Sequence, residues 1–212
     1  MRHRFLITLF RWMAVAVILR VQIAILTNYP DYFPPNFDSL FLQGREATFH
    51  GIYRWAFYVH ILSAPFVLLN GLFLLWYRYG PWHRWLGRLQ VMVLLTLMLP
   101  SGVVMARQAY AGWLAGLSFF TLSATTAICA IIGVYHARQR RFDRHRRWML
   151  RTYVLICSAI ALRLLSGAAS LLEVQEPELA YVIAAWCSWL LPLAAYEIVE
   201  RSRGRYRFAK VR

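Results

Sequence analysis

Long apolar runs separated by short polar connectors set the pattern of this chain. A membrane-spanning helix needs about 20 consecutive, mostly apolar residues, and six runs meet that length. Charged side chains are rare inside these runs and dense between them. The candidate spans are, in chain order, residues 9–27, 55–77, 86–107, 113–137, 148–171 and 179–199. The pattern predicts an all-α membrane protein with six transmembrane helices, in which residues 1–212 form a single integral membrane domain.

Composition supports a membrane location and excludes one other class of protein. The 212 residues are 60% hydrophobic and only 16% charged, whereas a soluble domain of this size carries more charge. The formal net charge is +15, but it is confined to the connectors. A nucleic-acid-binding protein needs a soluble basic face, and the sequence offers none, so no nucleic-acid partner is predicted.

Basic residues are concentrated in alternate connectors. The N-terminal segment, the loops between spans two and three and between spans four and five, and the tail 201–212 hold most of the 24 basic residues. Cytoplasmic loops of multi-pass proteins carry an excess of arginine and lysine. Both termini are therefore predicted to be cytoplasmic, with the basic connectors contacting anionic phospholipid at the cytoplasmic face.

One short motif occurs twice on this basic side. HRWLGR begins at His83, HRRWMLR begins at His145 62 residues later, and Arg84 and Arg146 keep the same spacing. Each copy opens a span, so the two histidines are predicted to lie at the same depth. Internal repeats are common in membrane folds, but shared loop basicity explains this similarity equally well.

Polar side chains recur at helical spacing in spans two to five. Because polar groups facing lipid are costly, these stripes should face one another. They predict a four-helix core of spans two to five, with spans one and six peripheral. The alternative is that the hydroxyl groups only hold neighbouring helices together.

Two basic side chains lie within the outer half of this predicted core. They are His60 in span two and Arg163 in span five. A lone arginine at that depth is costly unless it is paired or hydrated. We expect the two residues to line a pocket for an anionic or electron-rich guest, unless Arg163 extends to the outer interface instead.

A larger cluster is predicted at the cytoplasmic side, where His136 ends span four near the two motif histidines. Imidazoles from two helices are a common axial pair for a b-type haem iron, a role open to His83 and His145, and histidine can also handle protons beside a quinone. Arginines around them would neutralise propionates or other anionic groups: Arg84, Arg88, Arg146 and Arg151. The alternative is that these arginines bind lipid headgroups. Since no carboxylate or cysteine joins the cluster, no other metal site is predicted.

The order of these blocks resembles one known family. The blocks are FYVHILSAPFVLLNGL around His60, HRWLGR, PSGVVMA, HRRWMLR and LICSAIALRL. Over residues 38–168 they are similar to the bacterial membrane protein family named domain of unknown function 2306. The resemblance implies a multi-pass protein of the bacterial inner membrane and supplies no activity.

A fainter similarity is to the six-helix di-haem cytochromes b, and it rests on HRWLG from His83. Those proteins need four ligands at two matched depths, whereas only His60 lies on the outer side here. The similarity therefore implies one haem at most.

Three functions remain open on the sequence. The leading hypothesis is a membrane redox component that holds a b-type haem or a quinone. The second is a non-enzymatic scaffold, assembly factor or partner subunit that binds anionic lipid. The third is a small-molecule transporter, although the spans lack the acidic residues that usually couple protons or cations. No catalytic residue can be named from the sequence.

Overall fold

The structure is a computed structural model that describes residues 2–39 and 42–209, with only the backbone of residues 2–4, 7 and 203–209. Much of the predicted tail 201–212 therefore lies outside the described side chains. The chain forms two compact units, Met1–His50 and Gly51–Arg212. The predicted single membrane domain stays a prediction, and each unit is described by itself.

The first unit contains one long helix and an irregular segment. Helix α1 spans Arg2–Thr27, and a short 3₁₀ turn follows at Tyr29–Asp31. Among the described residues, extended pairing is limited to a single bridge between Tyr32 and Pro35.

The second unit consists of helices joined by short connections. Their bounds are α2 Gly51–Trp76, α3 Pro81–Val93, α4 Leu99–Ala106, α5 Trp113–Arg138, α6 Phe142–Ile156, α7 Ser158–Leu171 and α8 Pro177–Ala209. Helices α3 and α4 continue one another through a wide π turn at Leu94–Met98, and α6 and α7 meet at Cys157.

The prediction of an all-α chain with six spans is confirmed for the part of the chain that the structure describes. Six helical stretches are long and apolar enough to cross a membrane: Thr8–Asp31, Gly51–Trp76, Pro81–Ala106, Trp113–Arg138, Phe142–Leu171 and Pro177–Ser202. Spans three and five begin earlier than the predicted residues 86 and 148. The helices begin early because Pro81 is well tolerated at a helix start and Asp143 stabilises the first turn of the other one. The motif histidines therefore lie in the first turn of a helix and not in a loop.

The π turn in span three has a local cause in the sequence. Pro100 lacks a backbone N–H, and its ring crowds the carbonyl group four residues before it. The helix widens just ahead of this proline, where the Leu99 N–H donates to the carbonyl oxygen of Leu94. Wide turns of this kind bend a helix and redirect its carbonyl groups.

Span six, predicted to be peripheral to the four-helix core, packs against spans four and five. Its Trp189 is buried with Cys129 of α5 and Leu155 of α6 in one apolar cluster. The indole N–H of Trp189 also donates to Ser118 Oγ at 3.0 Å. The polar stripes could not indicate this packing, because an indole and apolar side chains make most of the contact.

Most hydroxyl groups of the polar stripes are satisfied on their own helices. Ser63 Oγ donates to the carbonyl oxygen of Val59 at 2.7 Å, and Thr121 Oγ1 donates to that of Leu117 at 2.8 Å. The carbonyl four residues earlier is the nearest acceptor for a hydroxyl in an apolar environment. These hydroxyl groups are therefore bonded within one helix and do not by themselves join neighbouring helices.

Two buried amides join spans two and three. Asn70 Nδ2 donates to Gln90 Oε1 at 2.9 Å, and Gln90 Nε2 donates to the carbonyl oxygen of Val67 at 2.8 Å. Gly71 is required nearby, because a Cβ there would lie 2.7 Å from the Tyr153 ring.

Candidate functional site

His60 lies against the break in span three. Its Nδ1 is 3.1 Å from the carbonyl oxygen of Met98 and 3.3 Å from Ser101 Oγ. Since a carbonyl oxygen can only accept, the Nδ1 atom carries the hydrogen. Gly102 permits this approach, because a Cβ there would be 3.3 Å from His60 Cε1.

Arg163, on α7, lies in the neighbourhood of His60. Its side chain is exposed on α7, and its Nη1 atom donates to the carbonyl oxygen of Ala159 at 3.1 Å. The guanidinium therefore makes a bond to its own helix.

The two motif histidines make the same kind of bond in two different hairpins. His83 Nδ1 donates to the carbonyl oxygen of Tyr77 at 2.7 Å, which lies six residues earlier. His145 Nδ1 donates to that of Gly133 at 2.8 Å, which lies twelve residues earlier. Each bond ties the first turn of a helix to the previous hairpin arm: Tyr77 directly follows the end of α2, whereas Gly133 lies inside α5. Tyr77 and Gly133 do not occupy equivalent positions in the two copies of the repeat. The two motifs are therefore similar in sequence but do not make equivalent contacts.

The third predicted histidine lines a cleft between the last turn of α5, the first turns of α6, and α8. This cleft, called the His136 cleft below, has a volume of about 270 Å³. Its lining residues are His136, Arg144, Arg147, Trp148, Arg151 and Glu200. The three arginines are three and four residues apart, so they share one face of α6.

Arg151 is fixed firmly in the wall of the cleft. Its Nε and Nη2 atoms donate to the two carboxylate oxygens of Glu197 at 2.5 and 3.0 Å. The guanidinium carbon lies 4.7 Å from the ring centre of Trp148 and 5.4 Å from that of Tyr196. A two-bond carboxylate pair combined with aromatic stacking holds arginine in one orientation. Arg151 is therefore a structural element of the cleft.

The other two arginines are much less engaged. Arg147 Nη1 is 3.7 Å from Glu200 Oε1, which is longer than a hydrogen bond, and the Arg147 side chain is 48% exposed. Arg144 is exposed, and no hydrogen bond or ion pair joins it to the described side chains. These two guanidinium groups are available to a ligand.

His136 is the least satisfied group of the cleft. The residue is 9% exposed, and its buried Nδ1 atom has no partner among the described residues. Buried polar atoms in proteins nearly always have a hydrogen-bond partner. The charges of Arg144, Arg141 and Arg147 all act on this imidazole. A ligand that supplies an acceptor and negative charge would complete the site.

The other predicted site residues lie outside this cleft. Arg84, Arg88 and Arg146 are exposed, and none of them lines the His136 cleft. A second cleft of about 400 Å³ is lined mainly by apolar residues of α4, α5 and the π turn. Neither cleft is lined by His83 or His145, so the predicted iron ligands do not share either of them.

Sequence reasoning missed both carboxylates of the site. The prediction that no carboxylate joins the basic cluster is wrong, because Glu197 and Glu200 of span six contact its arginines. Their spacing of three residues near the end of an apolar run was the available signal. Within residues 2–39 and 42–209, no three histidine, cysteine, aspartate or glutamate side chains are placed to hold a metal ion.

These features define a multi-spanning, all-helical membrane protein with a basic cleft at one end of its second unit. Residues 57–199 match the family described as predicted membrane protein (DUF2306). That is more than half of the chain, which therefore belongs to this family. The match confirms the resemblance read from the motifs and extends it through span six. No curated protein matches the chain, and no solved structure does so.

Proposed function

We propose that this protein binds anionic phospholipid through the His136 cleft, as a membrane scaffold, assembly factor or partner subunit. One observation carries the proposal: a buried histidine nitrogen with no partner in the described part of the chain lies beside two weakly engaged arginines. Arginine donates charge-assisted hydrogen bonds to phosphate oxygens, often with two bonds per group. A headgroup phosphate would meet all three unsatisfied groups at once.

The position of the cleft supports a lipid ligand. The cleft lies at helix ends, with Trp148 in its wall and Trp82 and Trp85 exposed near the start of span three. Tryptophan is enriched at the level of membrane headgroups, because its ring is apolar and its N–H is polar.

The proposal includes an orientation in the bacterial inner membrane. The arginine-rich connectors and both termini would face the cytoplasm, where anionic lipids attract basic segments. A cysteine at Gln139 should then resist a membrane-impermeant thiol reagent in intact spheroplasts, whereas one at Ala47 should react. The native cysteines are replaced beforehand, and the opposite labelling pattern would reverse the orientation.

Lipid retention by the purified full-length protein tests the proposed function. In detergent, native mass spectrometry should show bound phosphatidylglycerol in preference to phosphatidylcholine. The R144Q/R147Q double variant should lose this preference about tenfold or more, because two guanidinium groups near a membrane surface contribute about 1 kcal/mol each. The R84Q/R88Q variant removes the same charge outside the cleft. Equal losses in both variants would show a general basic surface and refute the cleft.

A redox component with a b-type haem or a quinone is the second candidate, and one observation favours it. His60, His83 and His145 each donate from Nδ1 to a backbone carbonyl group, which leaves Nε2 as the acceptor. Metal-ligating histidines are commonly oriented by such a bond. In this hypothesis, His83 and His145 would bind iron and Arg84 and Arg146 would meet the propionates.

An absorption spectrum tests this second candidate. Protein purified from haem-replete cells should show a Soret band and sharp bands on reduction, which are lost in H83A and H145A. A colourless protein would remove the haem form of the hypothesis.

A further inference from the structure

We infer that the His136 cleft selects a phosphomonoester headgroup, whose terminal phosphate has three free oxygens, over a phosphodiester headgroup. This inference rests on the proposed function and names the class of its ligand. Three features of the cleft carry it: the local charge, the number of uncommitted donors, and the loosely held Glu200.

The charges around the cleft are strongly unequal. Among the described side chains, Arg144, Arg147 and Arg151 line the cleft, Arg141 acts on its histidine and Arg201 acts on Glu197, against the two carboxylates Glu197 and Glu200. An excess of three positive charges remains after pairing. A phosphomonoester carries about −1.5 to −2 at pH 7, because its second pKa is near 6. A phosphodiester carries a single charge and would neutralise less of the excess.

Three donor groups of the cleft are free of hydrogen bonds to the described side chains, although Arg147 is loosely paired with Glu200, and they come from two helices. Arg144 and Arg147 lie one turn apart on α6, and His136 stands on α5. The His136 ring can carry its hydrogen on Nδ1, since no other group of the described chain competes for that atom. A terminal phosphate offers one oxygen to each donor. A phosphodiester has only two oxygens of this kind, so two of the three donors would have to share one oxygen.

Glu200 provides a way to distinguish a phosphomonoester headgroup from a zwitterionic headgroup. Its carboxylate is 3.7 Å from Arg147 Nη1, so it competes weakly for the guanidinium that a phosphate would bind. Removing its charge should strengthen phosphate binding by about twofold to fivefold, the range expected for an exposed ion pair. A headgroup with an ammonium group would instead bind Glu200, and its affinity would fall in E200Q.

The deciding experiment compares two lipids that differ in one methyl ester. Full-length protein in detergent is titrated with dioleoyl phosphatidic acid and with dioleoyl phosphatidylmethanol, and the bound fractions are measured by native mass spectrometry. The monoester should bind about tenfold more tightly, which corresponds to one additional charge-assisted hydrogen bond. H136F should reduce this ratio to about two, and E200Q should raise the affinity for phosphatidic acid. R84Q, which lies outside the cleft, should leave the ratio unchanged.

The possible outcomes distinguish the inference from the proposed function. Equal affinity for the two lipids, with both lost in R144Q/R147Q, would overturn the monoester preference and leave the anionic-lipid cleft standing. If the cleft variants bind both lipids as well as the wild type, both ideas fail. Weaker binding of phosphatidic acid in E200Q would also overturn the inference. Competition with inorganic phosphate shows whether the natural phosphomonoester is a soluble molecule or a lipid. If millimolar phosphate displaces phosphatidic acid, a soluble phosphomonoester is supported. If it does not, and the protein still prefers phosphatidic acid to phosphatidylmethanol, a lipid is supported.

Discussion

The pair between Arg151 and Glu197 provides the sharpest test of how the His136 cleft is built. The structure joins α6 to span six through two hydrogen bonds at 2.5 and 3.0 Å, with side chains only 17% and 31% exposed. Removing one partner of a buried pair costs about 3–5 kcal/mol, because the other charge is left without a partner. Since this pair is partly exposed, we expect E197Q to lower the free energy of unfolding by about 2 kcal/mol.

Two further variants separate the pair interaction from ordinary packing. R151M/E197M removes both charges, so it should be closer to the wild type than E197Q is, because no unpaired charge remains. R147Q/E200Q removes the loose pair at 3.7 Å and should change stability by less than about 1 kcal/mol.

Unfolding by SDS in mixed micelles, followed by circular dichroism, measures these free energies. A cost in E197Q no larger than that in R147Q/E200Q would refute the inference that Arg151 is a structural element. Losses in the single variants R151M and E197M that add strictly in R151M/E197M would refute it as well, since contacting residues should show coupling.

Two more substitutions test the packing of the second unit. G116A should destabilise the protein by about 1–3 kcal/mol, because its Cβ would collide with the backbone oxygen of Ala106. The control G167A adds a Cβ in open space and should not destabilise the protein. Thermal unfolding in detergent distinguishes the two variants. W189F removes the indole N–H that donates to Ser118 Oγ at 3.0 Å and should lower the free energy of unfolding by about 1 kcal/mol. An unchanged unfolding temperature would contradict the packing of span six.

The six spans could be predicted because their cause is local. An apolar run must reach the thickness of the bilayer, and backbone groups in lipid must bond within their own helix. The fourth span was predicted at residues 113–137 and is observed at Trp113–Arg138. The starts of spans three and five were less accurate, because HRWLGR and HRRWMLR are too polar to count as apolar runs although they are helical.

The histidines were found from the sequence, but their contacts were not. The repeated spacing of His83 and His145 predicted a shared level and did not show that each would bond to a carbonyl group of its own hairpin. That choice depends on which carbonyl groups of the preceding segment the packed hairpin brings close to each imidazole. Likewise, the end of span four suggested a role for His136, and only the packed helices show that its Nδ1 atom has no partner among the residues that the structure describes.

By itself, the sequence determined the helical class, the number of spans, the family and the positions of the basic connectors. Each of these follows from the composition of a short window of chain or from motifs that can be read in order. Only the tertiary structure decided which charges meet. Arg151 and Glu197 are 46 residues apart, and their contact exists because α6 and α8 are packed with particular rotations about their axes. Helical periodicity gives the face on which a residue lies, whereas the partner across that face is set by the packing of the whole bundle.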